Sequence, residues 1–155
     1  SHKKIDLFKE SPFDLSVPIG KTLLTPTKIY TKSLNKLHRL NKLNGLANIT
    51  GGGLITNPQR ILPNNLSLRL HLKNWKLPNI FKWMKQIGGL EIQELLKVFN
   101  CGIGMLLYVD KNDVEEVISY TKKQGEECFI VGEIIKNSPK QVFFEGNLEK
   151  WSKMD

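Results

Sequence analysis

The sequence has 155 residues, of which 40% are hydrophobic, and it carries a formal net charge of +8 at pH 7. A chain of this length closes one hydrophobic core, and no apolar run in it reaches the roughly 20 residues that a membrane-spanning helix requires. We therefore expect one soluble domain with short tails, no membrane association and a cytoplasmic location.

Basic charge is concentrated in the first third of the chain. Residues 1–45 contain nine Lys or Arg against three Asp or Glu, so the remaining residues hold only +2 of the net +8. A basic face can bind nucleic acid, steer anionic nucleotides into a cleft, or be a solvated surface. Because no aromatic residue interleaves with the lysines between Lys32 and Lys42, we rank nucleic-acid binding below an enzymatic function.

The cysteines and histidines do not indicate a metal centre. Cys101 and Cys128 form no CxxC pair, and His38 and His71 lack the spacing of metal ligands. Two cysteines also cannot build a framework of several disulfides, which fits a reducing compartment. The sequence therefore predicts no structural metal.

The first 50 residues predict one helix and one strand after an extended start. Residues 1–22 are expected to be extended, with a short helix near Ile5 to Lys9. The next helix is expected to begin at Thr25, because Pro26 would then occupy the first helical position, where its missing N–H does no harm. The short apolar stretch 46–49 is typical of a buried strand.

Three consecutive glycines follow this strand. Each costs roughly 1 kcal/mol relative to alanine if it is ordered at a helix start. With Thr50 as the N-cap, the amides of Gly51, Gly52 and Gly53 would be free to bind a phosphate, because helix N-termini attract anions. A flexible turn between two elements explains the same glycines, so both interpretations stay open at this point.

The middle of the chain predicts a strand and two helices. Pro58 argues against an unbroken helix after the glycines, and a kink or a restart is expected there. Leucines alternate with polar residues over 66–72, which is the period-two pattern of a strand with one buried face. One helix is expected between Pro78 and Gly88, and a second over 91–99.

The last third predicts a strand, a helix and a terminal hairpin. Residues 103–109 form the expected strand, and Asn112 with Glu115 is typical of a capping box that opens a helix. Two strongly β-forming segments, 128–136 and 141–145, are expected to pair with each other. Together the elements predict an α+β fold, in which a mixed β-sheet is layered with helices.

Four motifs carry a resemblance to a known enzyme family. They are Leu24–Tyr30, Leu46–Leu54, Arg60–Pro63 and Phe99–Met105. In this order and spacing they resemble the C-terminal domain of aminoimidazole ribonucleotide synthetase, also called phosphoribosylformylglycinamidine cyclo-ligase. The resemblance implies an α+β domain with partial similarity to the ferredoxin-like fold.

The resemblance also implies a division of the chain. Residues 23–145 would be the synthetase C-terminal domain, 1–22 a remnant of the preceding region and 146–155 a C-terminal tail. The complete enzyme would also have an N-terminal domain that binds most of the ATP and Mg²⁺ and that is absent here. We therefore expect this chain alone to be inactive.

The implied activity is one step of purine biosynthesis. The complete enzyme would use ATP to convert formylglycinamidine ribonucleotide to aminoimidazole ribonucleotide. This domain would supply one wall of the cleft for the small-molecule substrate, and the complete enzyme would be a homodimer.

The implied site surrounds the glycine loop. Its predicted phosphate-binding residues are Thr50, Gly51, Gly52 and Gly53, with Asn48, Arg60 and Asn100 as polar neighbours. Asn48 stands where the family most often has His, and an amide forms hydrogen bonds but does not titrate. The catalytic residues therefore stay unassigned.

Two other interpretations stay open. Selenophosphate synthetase and thiamine monophosphate kinase are related enzymes, but their loops tend to carry an Asp before the glycines, which Asn48-Ile49-Thr50 lacks. The second alternative is a basic nucleic-acid-binding module, which would bind oligonucleotides with a steep salt dependence.

Overall fold

The computed structural model describes residues 5–137 and 139–154, which form an α+β arrangement of strands, helices and short 3₁₀ turns. The strands are β1 (Glu10–Ser11), β2 (Asp14–Pro18), β3 (Gly45–Asn48), β4 (Leu66–His71), β5 (Met105–Tyr108), β6 (Gly132–Lys136) and β7 (Val142–Glu145). The helices are α1 (Ile19–Leu23), α2 (Thr31–Arg39), α3 (Gly53–Ile61), α4 (Asn79–Gly88), α5 (Ile92–Val98), α6 (Val114–Lys123) and α7 (Leu148–Ser152). The predicted fold class is thus confirmed.

Some predictions concern positions outside the described residues. These are the first four residues of the predicted extended start, residue 138 between the last two strands, and residue 155 of the predicted tail.

The first regular elements are a hairpin and a short helix. β1 pairs with β2 in antiparallel fashion, and α1 follows directly. The helix predicted at 5–9 is wrong. The carbonyl oxygens of Leu7 and Lys9 accept the N–H groups of Gly20 at 2.9 Å and Ile19 at 3.0 Å. Within the segment, the Lys9 N–H donates to the Asp6 carbonyl oxygen at 3.3 Å, which closes a turn and not a helix.

Helix α2 begins at Thr31, later than the predicted Thr25. Leu24 and Ile29 are 83% and 81% exposed, so a helix extended back through them would have no apolar surface to pack against. Its buried face starts with Leu34, which explains the shorter helix.

The strand predicted at 46–49 is confirmed as β3, which pairs with β5 in antiparallel fashion. Ala47 lies opposite Leu106, and both are buried. Asn48 lies opposite Met105, so the end of β3 meets the start of β5. This pairing places the glycine loop beside the segment that leads into β5.

Strand β4 is the middle strand of a three-stranded mixed sheet. β6 pairs with it antiparallel on one edge and β7 parallel on the other. The predicted hairpin between 128–136 and 141–145 is therefore wrong. Leu68 and Leu70 of β4 are 4% and 0% exposed, and the backbone groups of so buried a strand need partners on both edges.

The two faces of β4 differ from the predicted alternation in one place. Leu68 and Leu70 are buried as predicted, but Ser67, expected on the wet face, is fully buried as well. Its Oγ accepts the backbone N–H of Gln141 at 2.9 Å and Nδ2 of Asn137 at 3.2 Å. Ser67 thereby holds the connection that leads into β7.

Two of the later helices confirm the predictions made for them. α4 ends at Gly88, and Gly89 follows with a φ of +60°, the left-handed conformation that glycine adopts at low cost. In α5, Ile92, Leu95 and Leu96 face the core as expected.

The restart predicted at Pro58 and the cap predicted at Asn112 are wrong. Pro58 lies inside α3 without ending it, and burial of its ring offsets the single intrahelical hydrogen bond that it cannot donate. The N-cap of α6 is Asp113 instead of Asn112, and its side chain makes no capping hydrogen bond. Asp110 caps the preceding 3₁₀ turn, where its Oδ1 accepts the N–H of Asn112 at 2.9 Å.

The main core lies where β3, β4, α3 and α5 meet. Leu54, Leu70, Ile92 and Leu95 have no exposed surface. Burying such a side chain contributes about 1.5–3 kcal/mol. Because Leu54 lies in the first turn of α3, the core also fixes the start of the helix that follows the glycine loop.

Candidate functional site

The glycine loop connects β3 to α3 through residues 49–52. Ile49 is buried and donates its backbone N–H to the carbonyl oxygen of Gly104 at 3.0 Å. Thr50 and Gly51 are exposed. The loop is therefore anchored at its entry and open to solvent at its tip.

Asn57, in the second turn of α3, anchors the tip. The Thr50 backbone N–H donates to Asn57 Oδ1 at 3.1 Å, and the Asn57 residue is only 7% exposed. The sequence analysis missed this residue. A signal was available, since an Asn one helical turn after Gly53 lies over the helix N-terminus, where amide donors need acceptors.

Thr50 is not the N-cap, which corrects the prediction. The N-cap is Gly52, and no side chain caps the helix. Thr50 instead closes a tight turn, because its carbonyl oxygen accepts the N–H of Gly53 at 2.9 Å. The Thr50 hydroxyl stays available at the exposed tip.

The predicted amide donors divide into two groups. Gly53 already donates within the turn. In the described part of the chain, the amides of Gly51 and Gly52 have no hydrogen-bond partner. Adjacent free N–H groups at a helix start are the type of donor that anions bind.

The three glycines are required for different reasons. Gly53 has a φ of +57°, and a β carbon on it would overlap the carbonyl oxygen of Leu96. A β carbon on Gly52 would lie 3.0 Å from the side-chain amide of Asn57, whereas one on Gly51 would meet nothing within 4 Å. Packing therefore explains Gly53 and Gly52, but the fold places no such demand on Gly51.

The other three predicted residues lie at different distances from this tip. Asn48, at the end of β3, is exposed. Arg60 is also exposed, but seven residues along α3 from Gly53 correspond to roughly 10 Å of helix.

Asn100 shapes its own turn instead. Its Oδ1 accepts the N–H of Gly102 at 3.1 Å, and its carbonyl oxygen accepts that of Ile103 at 2.9 Å. Backbone pairing through Gly104 then brings this turn next to the loop.

The chemistry of the loop fits an anion better than a metal ion. Its free groups are amide N–H groups, a hydroxyl and carboxamides, and none is a carboxylate. Mg²⁺ is held through carboxylates and phosphates. Across residues 5–137 and 139–154, no group of three or more His, Cys, Asp or Glu side chains could hold a metal ion.

Cys101 follows Asn100 and has no exposed surface. Burial raises the pKa of its thiol to about 12. A thiol that stays protonated is a poor nucleophile, so Cys101 has a packing role.

A separate cavity of about 770 Å³ is bounded by β5, α6 and residues 126–134. Apolar side chains form most of its lining, and small molecules occupy pockets of this size. Tyr108 contributes to the lining, and its hydroxyl is enclosed without a hydrogen-bond partner. The sequence analysis did not predict this cavity.

No helix among the described residues is both long and apolar enough to cross a bilayer.

Comparison with known proteins identifies one family. The family described as AIR synthase related protein, C-terminal domain, matches residues 1–144. The match includes residues 1–22, which the motif resemblance left outside.

Curated relatives carry the same signal. The chain is 43% identical over 123 residues to a phosphoribosylformylglycinamidine cyclo-ligase of Caldanaerobacter subterraneus subsp. tengcongensis, which covers 79% of this chain and 36% of that protein. It is 42% identical over 125 residues to the enzyme of the same name from Geobacter sulfurreducens, covering 81% and 36%. It is 38% identical over 141 residues to a bifunctional purine biosynthetic protein of Schizosaccharomyces pombe, covering 90% and 18%. The chain thus spans about a third or less of the length of these relatives.

Proposed function

Because the chain belongs to the family of AIR synthase related proteins, C-terminal domain, we propose that it is the substrate-cleft part of a phosphoribosylformylglycinamidine cyclo-ligase. The complete enzyme converts formylglycinamidine ribonucleotide to aminoimidazole ribonucleotide in purine biosynthesis. Closing the imidazole ring consumes ATP, which is a substrate of the reaction.

The observation that carries this proposal is the pair of unpartnered amides at Gly51 and Gly52, in a chain 43% identical to a cyclo-ligase. A phosphate needs several convergent donors, and glycine lets an anion approach the backbone without a β carbon in the way. We assign the substrate phosphate to these amides and to the Thr50 hydroxyl.

The neighbouring residues complete the proposed site. Gly53 contributes close packing instead of a donor, because its N–H is engaged within the turn. Asn48 and Asn100 are assigned to the polar edge of the cleft. Arg60 is assigned to a more distant anionic group, because Cα–Cβ bonds in a helix tilt toward its N-terminus, which is the end where the loop lies.

The parts of the reaction that need ATP and Mg²⁺ are assigned mainly to a preceding domain. The glycine loop supports this division, because it has no carboxylate to hold Mg²⁺ and instead offers hydrogen-bond donors to an anion. The complete enzyme is proposed to be a cytoplasmic homodimer. The isolated 155-residue chain is proposed to bind the substrate phosphate without ring closure.

A titration tests the site directly. Formylglycinamidine ribonucleotide and the matching riboside, which lacks the phosphate, are added to ¹⁵N-labelled chain, and backbone amide shifts are followed. The ribonucleotide is expected to shift Gly51 and Gly52, and the riboside is expected to leave them unchanged. Equal responses to both, or shifts that spare residues 50–54, would exclude the phosphate site.

Additional ligands separate the alternatives. A tighter response to thiamine monophosphate than to the ribonucleotide would favour the kinase-type relatives. Binding of random oligonucleotides that falls steeply with salt would favour a nucleic-acid-binding module.

A further inference from the structure

The side chain of Asn57 has one engaged end and one free end. Its Oδ1 accepts the Thr50 N–H at 3.1 Å. Its Nδ2 has no hydrogen-bond partner in the described residues, although Asn57 is 93% buried. Each carboxamide nitrogen carries two N–H donors, so Asn57 Nδ2 is available to a ligand.

The orientation of this carboxamide is fixed by chemistry. The oxygen and nitrogen of an Asn side chain are hard to tell apart by shape. Here the Thr50 backbone group is a donor, so the atom facing it must be the oxygen. The nitrogen, with its two N–H groups, therefore points away from the Thr50 N–H.

The free nitrogen lies beside the glycine loop. A β carbon on Gly52 would lie 3.0 Å from both Nδ2 and Oδ1 of Asn57, so the carboxamide packs against the Gly52 backbone. Among the described residues, the enclosed side-chain polar atoms that make no hydrogen bond are His71 Nδ1 and Tyr108 Oη. Asn57 Nδ2 is not one of them, so it is not sealed from solvent.

We propose that Asn57 is an anion-binding residue of the glycine loop, whose Oδ1 holds Thr50 in place while Nδ2 donates to the bound phosphate group. The inference rests on the proposed phosphate site and adds a neutral third donor to the amides of Gly51 and Gly52. It makes one side chain responsible for both the shape of the loop and its preference for anions.

The substitution Asn57→Asp tests both halves of this role. Aspartate has the same shape and still offers an oxygen to Thr50, but it replaces the free donor by a negatively charged acceptor. Sulfate is the probe, because its charge stays constant between pH 4 and pH 8. We expect the Thr50 amide shift and the unfolding midpoint to change little, whereas sulfate affinity at pH 7 falls by about 10- to 100-fold.

Acidification provides a readout that a structural role would not move. Protonation turns the introduced carboxylate into a neutral donor, so Asn57→Asp is expected to recover sulfate affinity as the pH falls toward 4. The matched control is Gln59→Glu, an equally conservative charge change on another face of α3, which is expected to alter affinity less than threefold.

A measurement on the unmodified chain covers the case in which Asn57→Asp does not fold. The Asn57 side-chain NH₂ resonances are expected to shift together with the Gly51 and Gly52 amides on addition of sulfate. Shifts of both amides with a stationary NH₂ group, or full sulfate affinity in folded Asn57→Asp at pH 7, would overturn the role of Asn57 and leave the phosphate site standing. Absence of any sulfate response at the loop would overturn both.

Discussion

Gly53 packs directly against the carbonyl oxygen of Leu96, so the first residue of α3 touches the backbone of α5. A β carbon on Gly53 would also lie 2.6 Å from the carbonyl carbon of Lys97. This contact sets how closely the two helices approach, and it depends on the absence of a side chain.

The two outer glycines of the loop are expected to respond differently to alanine. Gly53→Ala combines a left-handed φ of +57° with backbone overlap and should destabilise the fold by more than about 2 kcal/mol. Gly51→Ala adds a methyl group in open space and should change stability by about 0.5 kcal/mol or less. Urea unfolding of both variants measures the loss of stability. Similar losses for the two variants would contradict a close contact between Gly53 and α5.

The faces of β4 can be tested by truncation. Leu70→Ala removes a side chain with no exposed surface and should cost about 2–5 kcal/mol through lost burial and a cavity. Arg69→Ala removes an exposed ion pair with Glu133 and should cost about 1 kcal/mol or less. If denaturant melts rank Arg69→Ala as the more damaging change, the orientation of the strand is wrong.

Glu126 predicts a pH dependence of stability. Hydrogen bonds from Lys28 and then from Ser33 hold the pKa of its carboxyl below the ordinary value. Because the pKa is lowered in the folded state, the stabilisation is complete above the unfolded pKa and disappears as pH falls through the folded one. Glu126→Gln should therefore be less stable than the original chain at pH 7, and the difference should disappear as the pH falls through the folded-state pKa.

The neighbouring carboxylate provides the control for this experiment. Glu127 is exposed and has no ion pair among the described residues. Glu127→Gln should thus change stability by about 0.5 kcal/mol or less at both pH values. A difference in stability between Glu126→Gln and the original chain that does not narrow on acidification would contradict the proposed origin.

The two cysteines are expected to differ in reactivity. The thiolate is the reactive form, and burial raises the pKa of the Cys101 thiol to about 12. Cys128 is only partly buried. A maleimide at pH 8 should label Cys128 first and Cys101 only after addition of denaturant, with Cys128→Ser as the control. Equal labelling rates in the folded chain would contradict the burial of Cys101.

Local patterns predicted the elements that depend on local forces. The leucines of β4 alternate with polar residues, and the Gly88-Gly89 pair ends α4. Both features depend only on residues that are neighbours in the sequence. The glycine loop was likewise placed correctly between β3 and α3.

Pairing over long distances was not predictable in this way. β6, which contains Gly132, and β7, which contains Val142, both pair with β4. Nothing in the local sequence distinguishes this arrangement from pairing of β6 with β7. The candidate site was predictable only in part. The bond from the Thr50 N–H to Asn57 forms within the first turns of α3 and so depends on neighbouring residues. The close packing of Gly53 against α5 is a long-range contact that no local pattern displays.

The position of β4 has a consequence for how the chain is made. Both of its neighbours come from residues 132–145, far behind it in order of synthesis. At about 5–20 residues per second, β4 leaves the ribosome roughly 3 to 15 s before its partners exist. During that interval the backbone N–H and C=O groups of β4 have no strand to pair with on either edge, so the nascent chain carries two open strand edges that can pair with other chains.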